Sequence, residues 1–493
     1  MAGAAGAEGG PRFEWPEAEI RRVGYRVVDL IARHLAGLPG EPVFRPFPGE
    51  LAEALAAAPA PQGGATADEV LDAFAREVEP YPFGNGHPRF YGWVNPPPAV
   101  MGVFGAALAA AMNPSVAGGN HAAVHLERQV LGWFKTLLGL PAEAMGLLVS
   151  GGSHAALTAL AVARHRACRR RGWDLRASGL QRIPAPLVVY KGAEGHGCHQ
   201  KAVELLGLGS QSIRVVPSDG VLRMDPAALD AMLSEDLAAG RVPVAVVASA
   251  GTVNTGALDP LGALADVCAR RDVWLHVDGA YGAPALLVEG CAEELRALGR
   301  ADSVAVDPHK WLYVPVDAGV VLIRDAAAMR DAFSLVPPYL RSDGDERGVQ
   351  GPPWLSEFGM EQTRPFRALK VWMALRHLGV SGYRSLVGRD LELARRLADR
   401  VRAAPDLVLW EPQGLSIVCF RYDAGGAGGE ALDELNRAVL RDVQLGGAAF
   451  LSSTVMAGRF WLRACIVNPR ARAEDMDALV ELVRGTARRR LGG

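Results

Sequence analysis

The chain has 493 residues, 49% hydrophobic and 22% charged, and its 52 basic and 54 acidic residues leave a net charge near −2. A chain of this length and composition is expected to fold into two or three globular units, which excludes an intrinsically disordered protein. The balanced charge gives no support to a nucleic-acid-binding protein, which normally carries a basic excess. Chemistry that needs a neutral amine has five possible positions, because the only lysines are Lys135, Lys191, Lys201, Lys310 and Lys370.

Cysteine usage and hydropathy predict the compartment. The six cysteines include no CxxC pair, which indicates free thiols in a reducing cytoplasm and not a disulfide or zinc framework. The first ten residues lack the basic and apolar regions of a signal peptide. The longest apolar run, 96–112, is shorter than a membrane span and contains three prolines. We therefore expect a cytoplasmic protein that does not bind membranes.

The chain opens with helical periodicity. Apolar residues recur at three- and four-residue steps over 14–37 and predict a helix. A Pro/Ala/Gly connection follows at 56–65, and then a short helix near 68–78. Because the first helix has no core nearby, we expect it to pack on the main body or on a second subunit.

The middle of the chain alternates short apolar runs with helical stretches. The runs are LVVY at 187–190, VAVVAS at 244–249, VWLHVD at 273–278, SVAVD at 303–307 and GVVLI at 319–323. This alternation predicts a mostly parallel sheet covered by helices on both faces. Beyond residue 371 a helix to about 401 and probable strands at 415–420 and 459–467 predict a smaller α+β unit.

Three segments place reactive groups directly after predicted strands or turns. The turn Ser150–Ser153 precedes a helical pattern, so its N–H groups suit either a phosphate or a simple N-cap. Asp278 ends a strand, where a carboxylate serves either a cationic partner or a helix cap. Lys310 follows a strand in an apolar neighbourhood expected to lower the pKa of its amine. It is therefore the lysine best placed for covalent chemistry.

Histidines occur in two closely spaced pairs. His121 and His125 stand at i, i+4, and His196 and His199 stand at i, i+3. Each pair would supply half of a metal site on a helix, but no third ligand has a diagnostic spacing. We therefore predict no metal centre.

Six segments form a family pattern along nearly the whole chain. They are SGGSHAALTAL at 150–160, HGCHQKA at 196–202, HVDGAYG at 276–282, DPHKWL at 307–312, PPYLRS at 337–342 and RPFRALKVW at 364–372. Together they resemble the group II pyridoxal-5′-phosphate (PLP)-dependent amino-acid decarboxylases, the family of aromatic-L-amino-acid decarboxylase.

The resemblance implies an overall architecture. It is the type I, aspartate-aminotransferase-like α/β fold, with a large PLP-binding domain over 85–375 and a small C-terminal α+β domain over 376–493. Residues 1–84 would form a helical arm packed on the partner subunit. The family also implies a homodimer with its active site at the interface.

The same resemblance assigns roles around the cofactor. Lys310 would bind PLP as an imine, and Asp278 would hold the pyridine nitrogen protonated, so that the ring accepts the electrons left on Cα when carbon dioxide leaves. His196 would stack on the ring. The phosphate would be held by Gly152 and Ser153.

His309 and Tyr339 complete the implied catalytic set. His309, beside the lysine, would orient groups over the ring. Tyr339 matches the mobile-loop tyrosine that protonates Cα, whereas aldehyde-forming relatives carry phenylalanine there. The glycines, prolines and charges of 334–353 suit a flexible lid over the site.

The chain departs from the family near the phosphate. Asp307 replaces the usual asparagine and places an extra carboxylate there, so that the contact is rearranged or Asp307 points elsewhere. Pro96 and Val253 replace two threonines near the cofactor, and the adjacent Thr252 is expected to substitute.

The substrate pocket also departs from the family. The segment 113–125, expected to line the pocket from the neighbouring subunit, lacks the aromatic wall of the animal enzymes. Asn120, His121 and Thr363 are the candidates for substrate contacts.

These residues together predict PLP-dependent decarboxylation of an L-amino acid, with an aromatic or other apolar side chain favoured, to the amine and carbon dioxide. One alternative is a PLP-dependent aldehyde synthase, transaminase or C–C lyase. A remote one is a non-catalytic relative of the same fold.

Overall fold

The computed structural model describes residues 13–335, 348–425 and 429–492, and the chain begins there with three helices. They are α1 (Glu17–Gly37), α2 (Gly49–Ala57) and α3 (Ala67–Glu77). Thr66 and Glu69 form a capping box that starts α3. Ion pairs from Arg26 to Asp68 and Asp72 join α1 to α3. The helices predicted over 14–37 and 68–78 are thus confirmed.

A seven-stranded sheet forms the centre of the molecule. Its strands are β1 (Met145–Val149), β2 (Leu187–Gly192), β3 (Ile213–Val216), β4 (Val242–Ser249), β5 (Trp274–Asp278), β6 (Ser303–Val306) and β7 (Gly319–Ile323). Their order across the sheet is β1-β7-β6-β5-β4-β2-β3. Only β7 runs against its neighbours, β1 and β6. The predicted mostly parallel sheet is therefore confirmed.

Helices cover this sheet and explain why its strands are so apolar. They are α4 (Val100–Met112), α5 (Ala122–Leu138), α6 (Gly152–Arg169), α7 (Leu175–Ser178), α8 (Cys198–Leu205), α9 (Pro226–Ala238), α10 (Leu261–Arg271), α11 (Ala292–Leu295) and α12 (Ala326–Phe333). All eight residues of β4 are buried. Among the described helices, none is both long and apolar enough to cross a membrane.

The last part of the chain forms a second, antiparallel sheet. Its strands are β8 (Leu407–Leu409), β9 (Ile417–Tyr422), β10 (Ser452–Met456) and β11 (Arg459–Cys465), in the order β10-β11-β9-β8. Three helices accompany them: α13 (Arg367–Ala403), α14 (Glu430–Leu445) and α15 (Ala473–Gly492). Helix α13 crosses the predicted boundary at 375/376 and is interrupted at Gly379, whose φ is 68°. The domain boundaries stay predictions.

Candidate active site

A pocket of about 540 Å³ opens at one edge of the seven-stranded sheet. This is the edge where β1, β2, β4, β5 and β6 have their carboxyl ends, which is where open α/β sheets place their ligands. The pocket brings together most of the residues predicted from the sequence: Gly152, Ser153, His196, Thr252, Asp278, His309 and Lys310.

Lys310 pairs with the carboxylate of Asp307. Its Nζ lies 3.1 Å from Asp307 Oδ2. Burial disfavours the charge on Lys310, but the two carboxylates Asp307 and Asp278 outweigh burial and raise the pKa of this amine. The expectation that an apolar neighbourhood would lower this pKa is therefore wrong. The lysine is held as a cation at the centre of the pocket.

Asp278, the last residue of β5, is held as an anion. Its Oδ1 accepts a hydrogen bond from the N–H of Ala280 at 3.1 Å, and its Oδ2 lies 3.6 Å from His199 Nε2. Burial opposes ionisation, but His199, Lys310 and His276 overcome it and lower the pKa of Asp278. Of the two readings of this aspartate, the structure favours the one with a cationic partner, which is Lys310.

His199 was predicted only as half of a metal pair. The structure places Cys198, His199 and Asp278 with their ligand atoms within 4.8 Å of one another. Burial raises the pKa of the Cys198 thiol to about 12, and the prediction of no metal centre stays a prediction. His199 accompanies Asp278, and its Nδ1 lies 3.0 Å from the carbonyl oxygen of His196.

His196 presents an uncharged ring to the pocket. Its Nδ1 accepts a hydrogen bond from the N–H of Cys198 at 3.0 Å, which fixes the orientation of the imidazole. Burial lowers the pKa of His196, so the ring is neutral at physiological pH. A neutral, fixed imidazole suits stacking on an aromatic ligand.

The start of α6 borders the pocket beside Asp307 and His309. No side chain caps this helix, so its first N–H groups are available to an anion. A Cβ at Gly152 would lie 3.2 Å from Asp307 Oδ2 and 3.3 Å from the Cβ of Ala280. At Gly319 in β7 a Cβ would lie 2.4 Å from the Cα of Gly151, so this close approach requires glycine. The turn is thus shaped as a cradle for a small anionic group.

Thr252 lines the pocket, but its hydroxyl is engaged within its own loop. It lies 3.1 Å from Thr255 Oγ1 and accepts a hydrogen bond from the N–H of Ala257 at 3.1 Å. The neighbouring Val253 is 43% exposed. The substitution of Thr252 for a family threonine stays a prediction.

Comparison with known proteins identifies the pocket. Residues 48–423 match the pyridoxal-dependent decarboxylase conserved domain. The chain belongs to this family. The resemblance noted in the sequence is therefore confirmed, and with it the PLP cofactor and the reaction class of an amino-acid carboxy-lyase.

Three similar proteins illustrate the range of the family. The aromatic-L-amino-acid decarboxylase of Bacillus atrophaeus is 34% identical over 95% of both chains. The L-2,4-diaminobutyrate decarboxylase of Rhizobium meliloti is 33% identical over 87% of this chain and 84% of its own. A crystal structure of Oryza sativa TDC with PLP and tryptamine superposes with a TM-score of 0.90 at 29% identity, covering 97% of this chain and 99% of the other. The type I fold is thereby confirmed.

The pocket of this decarboxylase fits PLP in its residue types and their placement. Lys310 offers an amine for the cofactor aldehyde, and Asp278 offers a carboxylate for the pyridine nitrogen. The uncapped α6 turn, with its glycine cradle, offers N–H groups for the phosphate. All three groups line one pocket.

Three predicted residues of the decarboxylase are not among the described residues that line this pocket. Asn120, His121 and Thr363 lie elsewhere in their own chain. Asn120 donates through Nδ2 to the carbonyl of Gly348 at 3.0 Å. Contact of these three residues with a pocket across a subunit interface stays a prediction. Tyr339, with most of the predicted lid, lies outside the described residues.

Three residues that line the pocket of the decarboxylase were not predicted from the sequence. Trp93, Asn254 and Arg463 line the pocket. Arg463 on β11 donates through Nε to the carbonyls of Val253 and Asn254, at 3.2 and 3.1 Å. No described carboxylate forms an ion pair with Arg463, so its guanidinium is a cation of the pocket without an acidic partner. The signal available beforehand was an arginine inside an otherwise apolar strand pattern.

Proposed function

We propose that this decarboxylase converts an aromatic L-amino acid to its amine and carbon dioxide. The observation that carries the proposal is a cationic Lys310 and an ionised Asp278 in one pocket, bordered by the free start of α6. The aromatic preference is supported by the similarity to the Bacillus atrophaeus enzyme. It is also supported by apolar pocket residues, namely Trp93, Val94, Val316 and Ile417.

Some charged residues of the pocket bind the cofactor, and another binds the substrate. When bound, PLP withdraws into its ring the electrons left on Cα. Lys310 holds the cofactor through its aldehyde, and the ionised Asp278 keeps a proton on the ring nitrogen. His199 orients Asp278. Arg463 attracts the carboxylate of the substrate into the pocket.

The uncharged residues position the cofactor. Gly152 and Ser153 bind the phosphate, and Thr252 lines the same cavity. His196 lies against the ring as a neutral plane. His309 accepts a hydrogen bond at Nδ1 from the N–H of Ala318 at 3.0 Å, which leaves Nε2 to carry its proton and to orient groups above the ring.

The product follows from Tyr339. By the family pattern its phenol returns a proton to Cα, so the expected product is the amine. The test is to incubate purified enzyme and PLP with the twenty amino acids and DOPA and to measure carbon dioxide and amine together. Release of amine from aromatic substrates supports the proposal, and aldehyde or keto acid as the main product contradicts it. Tyr339→Phe is the matched variant, and it is expected to shift the product towards aldehyde.

We also propose a homodimer with active sites at the interface, working in the cytoplasm. Large apolar side chains are exposed on α1, with Ile20 at 56%, Tyr25 at 63% and Val28 at 45%, and a second subunit would cover them. All six cysteines are free thiols, which suits a reducing compartment.

Mixed dimers test the shared site. Lys310→Ala and His121→Ala chains, each inactive alone, should recover about a quarter of the native activity per chain when refolded together in equal amounts, because half of the dimers are mixed and each has one intact site. No recovery in dimers shown to be mixed contradicts an interface site.

A further inference from the structure

We propose that Asp307 carries a proton in the cofactor-loaded enzyme and donates a hydrogen bond to the phosphate of PLP, so that the cofactor binds together with a proton. The inference rests on the cofactor site proposed above and is independent of which amino acid is decarboxylated. It concerns a position where this chain has aspartate and the family usually has asparagine.

The carboxyl group of Asp307 borders the start of α6. Asp307 follows β6 and is 2% exposed. Among the described residues, its Oδ1 is buried without a hydrogen-bond partner. A Cβ at Gly152 would lie 3.2 Å from Oδ2, and one at Gly151 would lie 3.9 Å from Oδ1. An unpartnered carboxyl oxygen therefore points into the turn that suits the phosphate.

The groups that face Asp307 supply little positive charge. They are Lys310, His309, His196 and Cys198. Burial lowers the pKa of both histidines and raises that of the thiol to about 12, so these three are uncharged at neutral pH. The only cation of the set is Lys310, whose Nζ lies 3.1 Å from Asp307 Oδ2.

Cofactor binding upsets this balance in two ways. The bond between Lys310 Nζ and the cofactor aldehyde commits that nitrogen to the ring, which weakens its pairing with Asp307. The phosphate brings a charge of about −1.5 to −2 at neutral pH beside Oδ1. Two anions in contact in a buried site do not both stay ionised, because each disfavours the charge of the other.

Protonation of Asp307 resolves the conflict. One proton from solvent binds to the carboxylate, and no other bond changes in that step. The neutral carboxyl group then has an O–H donor for a phosphate oxygen, where the usual asparagine would offer an N–H. The repulsion becomes a charge-assisted hydrogen bond.

The first experiment compares PLP with pyridoxal, which has the same aldehyde but no phosphate. The ratio of the pyridoxal to the PLP dissociation constant isolates the contribution of the phosphate and cancels any effect of a variant on Lys310. In the native enzyme we expect this ratio to fall by up to about tenfold per pH unit above neutral. In Asp307→Asn the ratio should stay constant over the same range.

Matched variants distinguish the contact between Asp307 and the phosphate from the effect of removing any carboxylate. Asp317→Asn removes a carboxylate that pairs with Arg367 at 3.0 Å and does not line the pocket, and it should keep the native slope. Asp307→Ser, also neutral, should give the same flat ratio as Asp307→Asn. A slope that is unchanged in both Asp307 variants overturns the proposal.

The second experiment detects the proton directly. The infrared difference spectrum between loaded and PLP-free native enzyme should contain the carbonyl stretch of a protonated carboxyl group, and Asp307→Asn should lack it. Absence of this band in the native enzyme also overturns the proposal. Neither experiment uses turnover, so failure of the proposed aromatic decarboxylation would be recognised separately, in the substrate screen.

Discussion

Two buried aspartates show contrasting ways of holding a negative charge inside this fold. Asp236 on α9 is fully buried and accepts three hydrogen bonds. They come from the hydroxyl of Tyr190 at 2.7 Å, Nε of Arg214 at 2.9 Å and Nη1 of Arg241 at 2.7 Å. Burial opposes its ionisation, but these partners lower the pKa of Asp236 below the ordinary value.

Asp307 in the pocket is buried to a similar degree but has partners of another kind. Its Oδ2 meets Lys310 at 3.1 Å and lies 3.5 Å from Nε2 of His309, while Oδ1 has no described partner. Arginine keeps its proton in both protein and water, whereas lysine and histidine exchange theirs. The two arginines that pair with Asp236 therefore stabilise the fold with charges that do not change. The lysine beside Asp307 can lose its proton, as the chemistry of the site requires.

Lys310→Arg is the strongest test of this contrast between permanently charged and proton-exchanging partners. Arginine keeps a positive charge beside Asp307 but cannot bond to an aldehyde, so decarboxylation should fall by about 10⁴-fold or more. The absorbance of the covalently bound cofactor should disappear as well. Both quantities are measured on the purified variant with PLP, alongside a thermal unfolding curve.

Lys370→Arg is the control for that substitution. Lys370 is 7% exposed and pairs with Asp317 at 3.4 Å, but it does not line the pocket. We expect its activity to stay within about threefold of the native value. Comparable losses of activity in both variants would show that either lysine is needed for folding. That result would contradict a specifically chemical role for Lys310.

Asp278→Asn should give the next largest effect. The amide has the size of the carboxylate but carries no charge to hold a proton on the cofactor ring, so kcat should fall by about 10² to 10³-fold. Asp278→Glu restores the charge and is expected to recover part of the loss. Steady-state kinetics measure the effect on turnover, and PLP titration measures the effect on cofactor binding. An equal kcat in the Asn and Glu variants would contradict the electrostatic role.

Asp236→Asn should affect stability and not chemistry. It leaves Arg214 and Arg241 facing a neutral amide, and because these side chains are 31% and 41% exposed, the loss is about 2 kcal/mol of unfolding free energy. Denaturant unfolding measures it at neutral pH. Since the folded pKa of Asp236 is lowered, its contribution is present above the unfolded pKa and is lost as pH falls through the folded value. Native and variant stabilities should therefore converge in acid.

Some residues of the site could be predicted from the sequence and others could not, because they depend on different levels of structure. Lys310 and Asp278 were predictable because Asp278 ends one strongly apolar strand and Lys310 lies shortly after another, and such strands are recognised from local pattern alone. Strands β1, β3, β8 and β10, which were missed, are the edge strands of the two sheets. Three of them, β3, β8 and β10, have exposed residues that interrupt the pattern of buried residues. Asn254 and Arg463 were missed for another reason. Tertiary packing alone brings them together, as in the 2.6 Å hydrogen bond from Thr454 to Asn254.

Asp390 extends the comparison to a buried aspartate that forms no ion pair with any described residue. Its Oδ2 accepts hydrogen bonds from Nε1 of Trp311 at 2.8 Å and from the hydroxyl of Tyr313 at 2.7 Å. These donors do not offset burial, which raises the pKa of Asp390 to about 7. The carboxyl group of Asp390 thus lies directly beneath the segment that carries Lys310 and is protonated in mildly acidic solution.

Asp390→Asn should therefore remove a dependence of stability on pH. Because the folded pKa of this acid lies above the unfolded value, the folded state binds the extra proton between about pH 4 and 7, and stability falls as pH rises through that window. Asparagine does not titrate, so the native enzyme should lose about 3 kcal/mol more than the variant between pH 4.5 and 7. Denaturant unfolding across this range at one protein concentration measures the difference. Equal slopes would mean that Asp390 is ionised in the folded enzyme, which would place it with Asp236 as a permanently charged group.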